Sequence, residues 1–260
     1  MTSTITKNKT LKQIIKPIII LVFWLAVWET ASLLVRDELK LFLPGPIDVF
    51  RKWIEVGFTR DYLLSAGATL LRIFAGFVSG AATGFVLGIL TADIKPLDSL
   101  ISPVLRIIRA VPVVSFIILA FLFIKVDTLP VFISFLMVVP LVWQTVRDGL
   151  NSINKELLEM CRIYRVGKIK TLFRVRLPAC LPEIISACVT ALGFAWKSGV
   201  AAEVLCTPEV SLGHRIYSAK AALNFDEVYA VTLTVVILSL IIELLLKNLC
   251  KKYLQRRTEE

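Results

Sequence analysis

Histidine is almost missing from this chain: His214 is the single one in 260 residues. A HExxH metalloprotease needs two histidines on one helix, so that chemistry is excluded. The five cysteines, Cys161, Cys180, Cys188, Cys206 and Cys250, contain no CxxC pair. With one histidine they make no Cys/His zinc site, and they read as small buried hydrophobes. A GxxxxGK[ST] phosphate loop is also lacking, since Gly193-Phe194-Ala195-Trp196-Lys197-Ser198 has no second glycine, and no serine lies in GxSxG. The chain is therefore expected to be no enzyme, to hold no metal or cofactor, and to hydrolyse no nucleotide by the usual loop. Acidic residues are scarce as well, 20 against 30 Lys and Arg, for a net charge of +10. In a soluble protein that imbalance would suggest nucleic acid, but no basic soluble domain is present, so no nucleic-acid partner is expected.

What is abundant is apolar: 57% of the residues are hydrophobic and the mean hydropathy is +0.77. Soluble domains stay near 45 to 50%. A helix needs about 20 mostly apolar residues to cross a bilayer. Six stretches qualify: Pro17 to Val35, Ile73 to Ala92, Ala110 to Ile124 (with residues borrowed from Pro103 onward), Thr128 to Val146, Ile184 to Ala202 and Val228 to Leu246. Lipid offers no partners to open backbone groups, so all six are predicted helices. The first, led by Lys7, Lys9, Lys12 and Lys16, reads as an uncleaved anchor, because it continues to Val35 and carries Glu29 where cleavage would need a small residue. The basic segments are the N-terminus, the stretch from Arg147 to Arg176, and a tail with Lys247, Lys251, Lys252, Arg256 and Arg257. An even number of spans puts all three on one side, predicted to be cytoplasmic together with both termini. The other side then receives residues 36–72, with Leu43-Pro44-Gly45-Pro46 as an extended turn and Ile47 to Val56 as an interfacial helix anchored by Trp53.

The chain thus reads as an all-α, polytopic membrane protein with about six transmembrane helices and a two-helix cytoplasmic loop. Its organisation is 1–60 (tail, first span and linker), 61–248 (transmembrane domain, with the loop at 147–177) and 249–260 (tail). Within it, Gly76, Gly80, Gly84 and Gly88 recur every four residues and share one helix face. That spacing suits close backbone approach, either as static packing or as a seam that slides. Lys197 sits inside a span, where a charge faces the interior or a cavity; it lines a passage or meets a partner from another helix. Glu203, six residues on, is roughly 120° away around the helix, so the two are not expected to pair. Glu203 is expected at the outer interface. In the basic loop, Asn151 or Asn154 suits an N-cap for Lys155 to Tyr164, Gly167 suits a turn of positive φ, and Lys168 to Arg176 suits a second helix with Ile169, Leu172 and Phe173 on one face. Such a loop docks on a protein or rests on anionic lipid.

The loop carries a spacing that resembles the permease subunits of ATP-binding cassette importers, marked by E-A-A, three residues, G, nine residues, I-x-L-P. Glu159-Met160-Cys161 stands for E-A-A, Arg165 occupies the glycine position, and Val175-Arg176-Leu177-Pro178 stands for I-x-L-P. Leu43 to Pro46, Pro103 through Arg109-Ala110-Val111-Pro112, and Ala195-Trp196 through Ala202-Glu203 resemble the nitrate, sulfonate and taurine branch. The resemblance implies a paired permease, expected as a homodimer, in the bacterial inner membrane and in contact with membrane lipid. It implies a separate ATPase subunit, holding ATP and Mg, seated on Glu159, Met160, Cys161, Arg165 and Gly167. It implies an extracytoplasmic solute-binding protein that delivers a small sulfonate-, nitrate- or taurine-like solute, or a thiamine-precursor pyrimidine. The departures imply that Gly167 takes over the turn from Arg165 and that the partner accommodates Met160 and Cys161. The alternative from another class is a secondary transporter driven by an ion gradient, with Lys197 as its ionisable residue.

Overall fold

The computed structural model describes the backbone of residues 3–35 and 41–258 and the side chains of residues 16–35 and 41–250. The charges of Lys7, Lys9, Lys12, Arg36, Lys251, Lys252, Arg256 and Arg257 lie outside the described side chains. The described residues form helices joined by turns, without strands. Five helices are long and apolar enough to cross a membrane: α1 (Ser3–Leu34), α3 (Arg60–Asp93), α6 (Leu129–Asn151), α9 (Leu177–Cys206) and α11 (Phe225–Thr258). Shorter ones lie between them: α2 (Pro46–Gly57), α4 (Lys95–Ala110), α5 (Val113–Phe121), α7 (Lys155–Ile163), α8 (Lys168–Thr171) and α10 (Leu212–Ala221).

The sixth span is not one straight helix from Ala110 to Ile124. The stretch is divided between α4 and α5, which are bent by 100° between them, the geometry of a broken span or of a re-entrant loop. Pro112 has no N–H and crowds the residue before it, so Val111 is driven to φ −78°, ψ 134° and the helix breaks. Proline also sets other boundaries. Pro96 lies in the first turn of α4 and cannot extend α3, and Pro46, Pro130 and Pro178 open α2, α6 and α9 where no N–H is needed.

The core of the bundle is α3, α6 and α9. Ile73 and Phe77, Val138, Val142 and Val146, and Ala191, Ala195 and Trp196 bury one another. α3 and α6 run parallel in near backbone contact. A Cβ added at Gly80 would lie 2.9 Å from the Phe135 carbonyl, at Gly84 2.7 Å from the Val139 carbonyl, and at Gly88 2.6 Å from Val146 Cβ, while at Gly76 it would overlap the Val131 carbonyl. Each glycine thus faces the next turn of α6. Trp143 Nε1 donates to Thr91 Oγ1 at 2.9 Å at one end of this seam, and Ser134 Oγ donates to the Ala195 carbonyl at the other. Trp53 is no free interfacial anchor: its Nε1 donates to Thr234 Oγ1 at 2.8 Å and holds α2 against α11. α1 is attached through Trp28 Nε1 to the Pro44 carbonyl and Ser32 Oγ to the Leu43 carbonyl, both in the proline-glycine turn.

Candidate functional site

At one end of the bundle, α6 gives way to the basic loop. Asn154 caps α7, its Oδ1 accepting from Glu156 N at 2.9 Å. α7 closes with Arg165 N donating to the Arg162 carbonyl and Val166 N to the Cys161 carbonyl, the paired bonds of a Schellman cap. The residue at the left-handed position of that cap is Arg165, at φ 53°. The expectation that Gly167 supplies the positive φ is therefore overturned: Gly167 sits at φ −61° and caps α8. The local hydrogen bonds demand the left-handed residue two places after Ile163, whatever occupies it. α8 is not followed by a break either. A π-helical turn, Leu172–Arg176, runs into α9, so Lys168 to Cys206 form one 39-residue helical rod, with Pro178 in the first turn of α9.

Glu159 and Met160 are exposed on this loop, whereas Cys161 is buried against its own chain, facing a cleft it shares with Asp93 and Arg176. Cys161 therefore offers the outside only the edge that lines this cleft. Ile163, Tyr164 and Ile169 are about three-quarters exposed, and Phe173 is exposed too. The loop is tied to the bundle by ions: Arg176 Nη1 lies 2.6 Å from Asp93 Oδ1 at the end of α3, and Arg147 Nε lies 2.6 Å from Asp98 Oδ1 on α4. Arg176 Nη2 also donates to the Leu150 carbonyl.

Along the bundle, three open cavities follow one another on the outer face of α9. The first, about 500 Å³, holds Arg109, Asp148 and Glu183. Glu183, Thr145 and Leu141 also line the second, of about 350 Å³, which continues through Ser186 and Thr190 into the third, of about 620 Å³. Lys197 stands at the far end of this third cavity and is exposed. The opposite wall, α11, contributes Glu243 and Lys247, which pair with each other. The groove as a whole was not legible from one helix at a time, although Glu183 and Lys197 share a face at a spacing of four turns.

At the other end of the bundle, Glu203 is fully buried, not placed at an interface. Its Oε2 accepts from Thr69 Oγ1 at 2.7 Å and from Gly213 N at 3.4 Å, and Arg72 Nη1 lies 3.5 Å from Oε1. Arg72 also donates to the Val210 carbonyl at 2.7 Å and reaches Asp127 at 3.2 Å. Thr69 Oγ1 accepts from Leu212 N. Gly213 has no room for a Cβ, which would overlap Glu203 itself. The carboxylate therefore joins α3, α9 and α10 at a point where a position at the end of an apolar run had suggested solvent. Lys197 and Glu203 do not meet, one being exposed and the other buried.

The fold of this bundle is shared by chains of solved ATP-binding cassette transporters. The chain superposes on a chain from the crystal structure of an amino acid ABC transporter with a TM-score of 0.63, covering 78% of this chain and 97% of that one at 16% identity. It superposes on a chain of a bacterial alginate ABC transporter with a TM-score of 0.61, covering 95% and 97% at 13% identity. The chain belongs to the family described as binding-protein-dependent transport system inner membrane component, whose sequence model matches residues 84–259. It is 28% identical over 206 residues to a Brucella melitensis protein named "probable ABC transporter permease protein", spanning 79% of this chain and 83% of that one. Identity is 26% to a nitrate import permease of Synechococcus elongatus (82% and 79% covered) and 25% to a taurine transport permease of Escherichia coli (88% and 84% covered). The protein is thus a multi-pass membrane protein and a transport permease, which leaves the ion-gradient alternative without support.

Proposed function

We propose that this chain is the permease subunit of an importer in the bacterial inner membrane, that two copies enclose the passage, and that the α7–α8 loop takes its drive from a separate ATPase. The observation that carries the reading is the loop itself. It exposes Met160, Ile163, Tyr164, Ile169 and Phe173 beside Glu159, at the motif's spacing, on an end of the bundle where Arg176 and Asp93 anchor it to α3. An apolar patch ringed by charge, rigidly mounted, suits a protein partner. Glu159, Met160, Cys161, Arg165 and Gly167 are proposed to contact that partner, Cys161 through the cleft it lines and Gly167 at the start of α8.

By the charge of the loop and tail, this end is proposed to be cytoplasmic, with both termini, and ATP and Mg are proposed to belong to the partner. The groove of Glu183, Thr190 and Lys197 is proposed as the passage wall. Polar side chains on a spanning helix are poorly placed against lipid and well placed across a two-fold axis from a second copy. A solute-binding protein would deliver to the Glu203 end, as the alginate transporter's complex with a periplasmic protein illustrates for that system. The solute is proposed to be small, of the nitrate, sulfonate and taurine type or a pyrimidine precursor of thiamine.

Glu159→Lys tests the loop. It is expected to lower solute uptake at least tenfold while the permease stays folded in the membrane, because it reverses one of the loop's few negative charges. A cysteine at Met160 is expected to cross-link to the ATPase. Normal uptake together with no cross-link would assign the loop to the lipid surface instead.

A further inference from the structure

We infer that Lys197 forms one half of a two-fold anion subsite in the passage, which makes the transported solute a small anion. The inference rests on the proposed pairing of two copies. Lys197 projects into the largest of the three cavities, where the lining is otherwise apolar apart from the Ser186 and Thr190 hydroxyls and the α11 pair. That pair is already neutral, because Lys247 is bonded to Glu243 one turn away. Lys197 has no carboxylate within ion-pairing distance among the described residues, and the nearest buried one, Glu203, is spent on Thr69, Gly213 and Arg72. The space beside it is open: a Cβ at Gly193, one turn away, would meet nothing within 4 Å.

A lone ammonium about 14 Å along the helix from the end at Cys206 needs a counter-charge. Symmetry decides where that charge comes from. An axis running along the passage brings residues of equal height together, so Lys197 faces the second copy's lysine and Glu183 faces the second copy's glutamate. Like charges cannot satisfy one another. The lysine pair is therefore complemented from between the two copies, by a negatively charged group that six ammonium hydrogens can hold. The glutamates stand about 21 Å further along the rod, too far to serve. They have Arg109 on the same cavity as a source of positive charge. An anion passing inward leaves a positive ring before it meets a negative one, so the lysine ring is the place where it can dwell.

The test reads local charge directly. In a complex of permease and cognate ATPase whose native cysteines have been replaced, Gly193→Cys places a thiol in the cavity. Its modification rates are compared for a negatively and a positively charged methanethiosulfonate reagent of similar size. The negative reagent is expected to be favoured. Adding Lys197→Gln is expected to lower the ratio at least tenfold, and adding Lys197→Arg to keep it. A ratio that Lys197→Gln leaves unchanged overturns the subsite. Uptake of external nitrate or methanesulfonate into vesicles holding the complex, against an uncharged hydroxymethylpyrimidine, gives the second arm; transport of the uncharged compound alone also overturns it. Failure of the importer reading looks different: the ATPase would then show no stimulation by binding protein, whatever the reagent ratio.

Discussion

The two ends of the bundle are fastened by the same kinds of groups under opposite conditions. At the α10 end, one carboxylate, Glu203, is sealed from solvent and satisfied by a hydroxyl, a backbone N–H and a guanidinium. At the loop end, Arg176 meets Asp93, whose side chain is half exposed, and Arg147 meets Asp98 at a partly open site. Water reaches the carboxylates of the second set and not that of the first. Ion pairs in contact with water contribute little and exchange easily, whereas a sealed network stabilises only as a whole and fails when one member is lost. The difference teaches that the α10 end is the harder of the two to take apart.

The largest effect should come from breaking the sealed end. Glu203→Ala leaves Thr69, Gly213 N and Arg72 without their acceptor and is expected to cost about 3 kcal/mol. Thermal unfolding in detergent would show it as a drop of several degrees in Tm, with Glu203→Gln losing less because the amide oxygen still accepts. A Tm unchanged by Glu203→Ala would erase the contrast between the ends. At the open end, Arg176→Ala is expected to cost only about 1 kcal/mol. Under the proposed function it should nevertheless reduce uptake several-fold, since it frees the loop from α3. Uptake assays alongside the Tm would separate the two. The smallest effect is a gain: Arg165→Gly relieves a left-handed residue and should stabilise the end of α7 by up to about 1 kcal/mol. Slower amide exchange at Val166, whose N–H closes the cap, is the measurement, and faster exchange would contradict the strain argument.

Much of this was legible from residue types alone. Runs nearly free of charge located the spans, and the glycines at 76, 80, 84 and 88 marked the face of α3 that meets α6, because periodicity is a local property. Asn154 was readable as a cap for the same reason. Three things were hidden. The 100° bend at Val111-Pro112 lies inside a stretch whose apolarity argued for one span, and only its proline spoke against that. Glu203 looked terminal because nothing in its own helix shows that α10 folds back over it; Gly213, ten residues on, is the trace of that cover. The φ of Arg165 was misassigned to Gly167 because composition favours glycine, whereas the geometry of the cap, counted from Ile163, allows only one position.

The unbroken rod from Lys168 to Cys206 has a mechanical meaning. A helix of 39 residues is about 58 Å long, and a tilt of roughly 5° at one tip displaces the other by about 5 Å. The helical path continues from the short α8 through the π turn into the membrane-crossing length of α9, so under the proposed function a push at Ile169 enters the same rod. It arrives at Glu203, where the rod is pinned to α3 and α10. Under the proposed function the rod would be a lever with its handle at the loop and its pivot at Glu203, and the groove along α9 lies between them.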